Sequence, residues 1–127
     1  MNNLKVLIVD DEDDFRELVV KRLMDRKINV EGAQSGSRAM ELLKQKEFDV
    51  VVLDVKMPGI DGIETLRWIK ANTPEIEVIM LTGYVSVESG IKGMQLGAFD
   101  YVIKPAPMNE LLDKIRQAYE KKLGHSV

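Results

Sequence analysis

Three short apolar runs punctuate the chain: Val6-Leu7-Ile8-Val9, Val50-Val51-Val52-Leu53 and Val78-Ile79-Met80-Leu81. Each is rich in β-branched residues and continuous rather than alternating, which is how a strand reads when a parallel sheet is covered on both faces. Two weaker runs, Ile28-Asn29-Val30 and Phe99-Asp100-Tyr101-Val102-Ile103, supply two more strands. Between the runs, apolar residues recur about every third or fourth position with charges in the gaps, the spacing of helices with one buried face. Phe15, Leu18, Val19, Val20, Leu23 and Met24 mark a first helix, with Asp13 or Asp14 as its cap. Ala39, Met40, Leu42 and Leu43 mark a second, begun near Ser35 or Ser37. Ile63, Leu66 and Ile69 mark a third, capped by Asp61 ahead of Gly62 and closed by Asn72-Thr73-Pro74. A fourth, from about Ser86 to Leu96, carries Gly90 and Gly93 inside and Gly97 at its end. An interior glycine costs about 1 kcal/mol relative to alanine, so this helix is intrinsically the weakest. Leu111, Leu112, Ile115, Ala118 and Tyr119 mark the last. Strand and helix alternate five times. That order predicts one doubly wound α/β domain, a five-stranded parallel sheet with right-handed crossovers and helices on both faces.

Length agrees with a single unit: 127 residues, read as one domain over 1–127 with its core at about 5–123 and a short tail at 124–127. Composition narrows the chemistry. The 18 Lys and Arg against 21 Asp and Glu leave a net charge of −3, and a mildly acidic surface argues against nucleic-acid binding through phosphate neutralisation. Cysteine is absent, which removes disulfides, thiolate metal sites and thiol catalysis. The one histidine, His125, lies in the tail, so histidine triads and histidine-metal clusters are disfavoured. What remains is carboxylate, lysine and hydroxyl chemistry with a recruited hard cation. No apolar run approaches the roughly 20 residues that span a bilayer, and the first residues lack the pattern of a signal peptide. A cytoplasmic protein without membrane association is expected.

The polar residues that follow the strands change the picture most. Asp10-Asp11 follows the first, Asp54 the third, Thr82-Gly83 the fourth and Lys104-Pro105 the fifth. In an open parallel sheet all carboxyl ends share one edge, and ligands bind there near the switch point. Three carboxylates brought together with one lysine repel one another, and an oxygen-seeking cation relieves that repulsion. Mg2+ suits such a site, since it takes one or two carboxylates plus waters and phosphate oxygens. A phosphoryl group at Asp54 then has a nucleophile, Lys104 as a point charge and the Thr82 hydroxyl around it, the parts phosphoryl transfer requires.

At these residues the chain resembles the receiver domain of bacterial two-component response regulators. The resemblance is carried by Val9-Asp10-Asp11, by Leu53-Asp54-Val55-Lys56-Met57-Pro58-Gly59-Ile60-Asp61-Gly62, by Leu81-Thr82-Gly83 and by Gly97-Ala98-Phe99-Asp100-Tyr101-Val102-Ile103-Lys104-Pro105. Each piece is common alone; all four in order, each at a predicted strand end, are specific. The match runs from about Lys5 to Leu123. It implies a flavodoxin-like (βα)5 sheet in order 2-1-3-4-5. It makes Asp54 the phosphoacceptor, fed by a phosphohistidine of a histidine kinase or phosphotransfer protein. Asp11, Asp54 and the main-chain carbonyl of Lys56 become Mg2+ ligands, with Mn2+ as a substitute, and Asp10 reaches the metal through water. Lys104 pairs with phosphoryl oxygens, and its bond to Pro105 is cis. Thr82 and Tyr101 become switch residues that move the face of the fourth helix, fifth strand and fifth helix. The downstream partner is an output protein or a fused output domain, and a homodimer on activation is compatible with this scheme.

The expected function is therefore a phosphorylation-dependent signalling switch, not an enzyme turning over external substrates. Glu12, Asp13 and Asp14 read as capping and surface charges. Lys56 and Tyr84, each two residues beyond a site residue, are placed to obstruct an attacking water, so slow self-dephosphorylation is expected. A docking module that is never phosphorylated is the alternative, against which Asp10, Asp11, Asp54, Thr82 and Lys104 all argue. A haloacid-dehalogenase-like phosphatase needs a second aspartate two residues after its nucleophile, where Asp54 has Lys56 and Asp10 has Glu12. A flavodoxin-like mononucleotide carrier needs a Ser/Thr/Gly-rich loop after the first strand, where five acids stand instead. No output segment is recognised after the fifth helix, which fits either a stand-alone receiver or one excised from a longer regulator.

Overall fold

The computed structural model describes residues 3–55, 62–83 and 87–124. Ten elements alternate along it: β1 (Lys5–Val9), α1 (Asp13–Asp25), β2 (Asn29–Ala33), α2 (Gly36–Gln45), β3 (Val50–Asp54), α3 (Gly62–Asn72), β4 (Glu77–Thr82), α4 (Val87–Gln95), β5 (Asp100–Ile103) and α5 (Met108–Lys122). The strands form one sheet, β2-β1-β3-β4-β5, and every neighbouring pair is parallel. This is the doubly wound, flavodoxin-like (βα)5 architecture with the order the resemblance implies.

Strand periodicity divides the interior into two cores. Leu7, Val9, Val51, Leu53, Val78 and Met80 pack against α2 and α3 through Ala39, Leu42, Leu66 and Ile69. Val6, Ile8, Val50, Val52, Ile79, Leu81 and Val102 face the other way, onto Val19 and Leu23 of α1 and Leu111, Leu112 and Ile115 of α5. Successive side chains leave opposite faces of a strand, so continuous apolar runs are what two covered faces demand. β3 and β4 are buried along their whole length.

Differences from the sequence expectations are local. β2 begins at Asn29 and continues through Ala33, because it pairs residue for residue with β1 from Lys5↔Asn29 to Val9↔Ala33. That pairing overrides the poor strand propensity of Glu31 and Gly32. Asp13 and Asp14 do not cap α1; they fill its first turn, and Glu12 holds the cap position without a side-chain cap hydrogen bond. Of the two serines, Ser35 caps α2, its Oγ accepting from the Arg38 amide at 3.1 Å. The Asn72 and Thr73 side chains close α3 by donating to the carbonyls of Trp68 and Ile69. Gly97 ends the α4 turn at φ 105°, while Ala98 N–H donates back to the Gly93 carbonyl at 3.0 Å, the arrangement that favours glycine after a helix. Gly93 is more than a weak point. A Cβ there would lie 3.1 Å from both Cε and Cγ of Met80, so its bareness lets α4 sit close on β4. Ser86 and Asp61 lie outside the described residues.

Candidate functional site

The carboxyl ends of β1, β3, β4 and β5 bring four of the residues expected from sequence to one edge. Asp54 is the last residue of β3 and Thr82 the last of β4, while Asp10 follows β1 and Lys104 follows β5. Main-chain hydrogen bonds continue just past the strands and lock their relative heights: Asp10 N–H to the Ala33 carbonyl, Val55 N–H to that of Leu81, and Lys104 N–H to that of Thr82. The Lys104–Pro105 peptide is cis.

Lys104 is the hub. Its Nζ lies 2.7 Å from Glu12 Oε1, 2.9 Å from Asp10 Oδ2 and 3.5 Å from Asp54 Oδ2. Burial by itself would lower the lysine pKa; the close pairing with Asp10 and Glu12 and the charge of Asp54 outweigh it and hold the ammonium well above its ordinary 10.5. Nζ also stands 4.8 Å from the centre of the Phe15 ring, a favourable cation–π distance.

Asp10 is completely buried, and Asp54 is nearly so. Asp10 Oδ1 accepts from the Glu12 amide at 2.9 Å, while Oδ2 has the Lys104 charge beside it but accepts no well-directed hydrogen bond among the described residues. One oxygen each from Asp10, Glu12 and Asp54 lie within 4.8 Å of one another. A buried carboxylate oxygen short of donors, in an all-oxygen cluster with two more acids, fits a hard divalent cation such as Mg2+. Asp11 is exposed and does not belong to this cluster; Glu12, expected to be surface charge only, does. Sequence inspection missed Glu12 because its partner is 92 residues away. Lys56, Tyr84 and His125 lie outside the described residues.

Thr82 and Tyr101 sit on the other face of the sheet from Asp54. Met80 and Tyr101 are register partners on β4 and β5, and both join the core that α2 and α3 cover. Thr82, two residues beyond Met80, shares their side by strand periodicity. Its Oγ1 is fully buried and finds no hydrogen-bond partner among the described residues. Tyr101 is half-buried. A buried hydroxyl without a partner costs about 1–3 kcal/mol, so an acceptor arriving at this edge gains a ready donor.

Gly62 had read only as a helix opening, yet it shapes the site. A Cβ on it would come within 2.5 Å of Val55 Cα and closer still to the Asp54 carbonyl oxygen. Only glycine lets α3 start this close behind Asp54. The sequence signal for that role was its place eight residues after the carboxylate, following a Pro-Gly turn.

Fold and site together define a doubly wound α/β module whose carboxyl edge gathers, among the described residues, three carboxylates, Lys104 and a buried hydroxyl without a hydrogen-bond partner. Residues 6–116 match the response regulator receiver domain family, and the chain belongs to it. The chain is 38% identical over 125 residues to the transcriptional regulatory protein ZraR of Escherichia coli (strain K12), a match covering 98% of this chain and 27% of that protein. It thus spans about a quarter of the length of such curated relatives. Among solved structures, the response regulator receiver domain protein from Clostridium thermocellum superposes with a TM-score of 0.90 at 33% identity, covering 94% of this chain and 97% of that one. NtrX from Brucella abortus gives 0.91 at 30% identity, covering 97% of this chain and 28% of that one. Receiver domains serve two-component signalling and are not substrate-turnover enzymes. Among the described residues, no helix is long and apolar enough to cross a membrane.

Proposed function

We propose that this receiver domain is a phosphorylation-operated switch in which Asp54 is the acceptor. The reading is carried by one observation: three clustered carboxylates gather on Lys104 at the edge where Asp54 ends β3. An Asp54 carboxylate oxygen attacks the phosphorus of a phosphohistidine on a kinase or phosphotransfer protein. The P–N bond breaks, its electron pair stays on the imidazole, which is reprotonated from solvent, and Asp54 becomes an acyl phosphate. Lys104, already charged and 3.5 Å from Asp54 Oδ2, neutralises the incoming oxygens. Asp10, Asp54 and, after a shift of its loop, Asp11 would hold Mg2+, with the Lys56 carbonyl as a further ligand and Mn2+ as a substitute. The cation supplies charge neutralisation for the phosphoryl oxygens.

Thr82 supports the switching step through its buried hydroxyl, which has no partner among the described residues and a hydrogen bond to gain by turning to a phosphoryl oxygen. Tyr101 is its aromatic counterpart on the same face, next to α4, and the α4–β5–α5 surface is the output face. A homodimer through that surface, or an attached or separate output partner, reads the change. The protein works in the cytoplasm.

Intact-mass measurement after incubation with acetyl phosphate tests the acceptor. The expected result is one phosphoryl adduct that requires Mg2+ and is absent from Asp54→Asn. A folded chain that binds Mg2+ and forms no adduct points instead to a docking module. An adduct retained in Asp54→Asn places the acceptor elsewhere.

A further inference from the structure

The acidic loop after β1 has no helix cap of the usual kind, yet it must present its carboxylates in a fixed direction. Glu12 stands at the cap position of α1 without a side-chain cap hydrogen bond. Arg16 does the fixing from the first turn but one. Its Nη1 donates to the main-chain carbonyl of Asp10 at 2.8 Å, and its Nη2 donates to Asp13 Oδ1 at 2.7 Å. One planar guanidinium thus spans both ends of the loop that carries Asp11 and Glu12, a geometry that a lysine ammonium does not reproduce. The arginine side chain is only 13% exposed.

Its stem lies over Gly32 of β2. A Cβ there would stand 3.1 Å from Arg16 Cδ and 3.2 Å from Cγ. Glycine inside a strand weakens it and marks a place where another group approaches closely. Here the approaching group is the arginine, and the strand is the one beside β1.

We propose that Arg16 is the positioning residue of the acidic loop, seated in a notch that Gly32 provides, and that this pair sets how tightly the edge holds a divalent cation. The inference rests on the reading of that edge as an Mg2+ site. It has a sign that separates it from a bystander role. A guanidinium beside the acids repels a cation by Coulomb's law, so a residue acting through charge alone would tighten Mg2+ binding when removed. A positioning residue does the reverse. Loss of groups that orient ligands weakens metal affinity by about 10–100-fold.

The test follows the backbone amides of Asp10, Asp11 and Glu12 by NMR during MgCl2 titration of the full chain, and their hydrogen exchange without metal. Arg16→Met is expected to weaken Mg2+ by about tenfold and to speed exchange at Asp11 and Glu12 by about as much. Arg16→Lys keeps the charge and should not restore either. Gly32→Val alters neither loop nor charge, yet should move both readouts the same way, and the double variant should be no worse than Arg16→Met, since the two act as one unit. Unchanged or tighter Mg2+ binding in Arg16→Met, or wild-type behaviour of Gly32→Val, overturns the proposal. A wild-type chain whose amides ignore MgCl2 overturns the Mg2+ reading instead, while the metal-free exchange still decides whether Arg16 holds the loop.

Discussion

The two ends of the sheet are built from the same residue types and solve opposite problems. At the amino end, Asp49 and Glu77 are surrounded by lysines: Lys122 and the Lys5 amide reach Asp49 at 2.7 and 2.9 Å, and Lys70 and Lys121 flank Glu77 at 3.8 and 3.7 Å. At the carboxyl end, Asp10, Glu12 and Asp54 all gather on Lys104. The amino end sets the ammoniums of Lys70, Lys121 and Lys122 against Asp49 and Glu77, although the buried Glu77 Oε1 accepts no hydrogen bond among the described residues. At the opposite end three carboxylates thus converge on one ammonium, with the Arg16 guanidinium turned to the Asp10 carbonyl and to Asp13. Carboxylates crowded around one cation repel one another, and a ligand cation would relieve that repulsion.

Removing the hub should have the largest effect. Lys104→Met leaves three acids without their shared lysine and is expected to cost about 3 kcal/mol in metal-free urea denaturation, with MgCl2 restoring part of the loss. Gly62→Ala should cost about 2–3 kcal/mol as well, and MgCl2 should not recover it, because the clash is with the main chain of Asp54 and Val55. Next comes a reversal of sign between the ends. Asp49→Asn loses charge-assisted hydrogen bonds and should destabilise the chain by about 2 kcal/mol. Asp54→Asn relieves repulsion and should stabilise the metal-free chain by about 1 kcal/mol. If both variants destabilise, the contrast between the ends is wrong.

The smallest expected effect is a difference in pH slope. Lys104 titrates above its ordinary 10.5 in the folded chain, so between 10.5 and that higher value the folded state holds the extra proton and stability falls as pH rises. Burial lowers Lys70, with Lys121 adding to the fall and Glu77 opposing it. Between that lowered value and 10.5 the unfolded state holds the extra proton, and stability rises with pH. Subtracting the urea profile of Lys104→Met from wild type should leave a falling slope above pH 10.5. Subtracting that of Lys70→Met should leave a rising one just below it.

Much of this was legible in the residues. The runs at Val6, Val50 and Val78 are buried on both faces and so carry no alternation to misread, and the acids, hydroxyl and lysine after them follow from one rule about parallel sheets. The parts that were not legible depend on contacts distant in sequence. Glu12 looks like one more acid in a row of five until Lys104 is brought to it. Gly62 and Gly93 look like a turn and a weak spot until Asp54 and Met80 arrive behind them. Glu31 and Gly32 join β2 only because β1 is there to pair with.

The order of the strands has a mechanical consequence. β3, which ends in Asp54, is gripped on both sides by β1 and β4, whereas β5, which carries Tyr101, is hydrogen-bonded to β4 alone. A plate clamped through its middle and free along its two margins does not yield where it is pressed; it yields at a margin. Any push delivered at Asp54 meets a strand held on both sides, and β5 with Tyr101 is one of the two borders left with room to give.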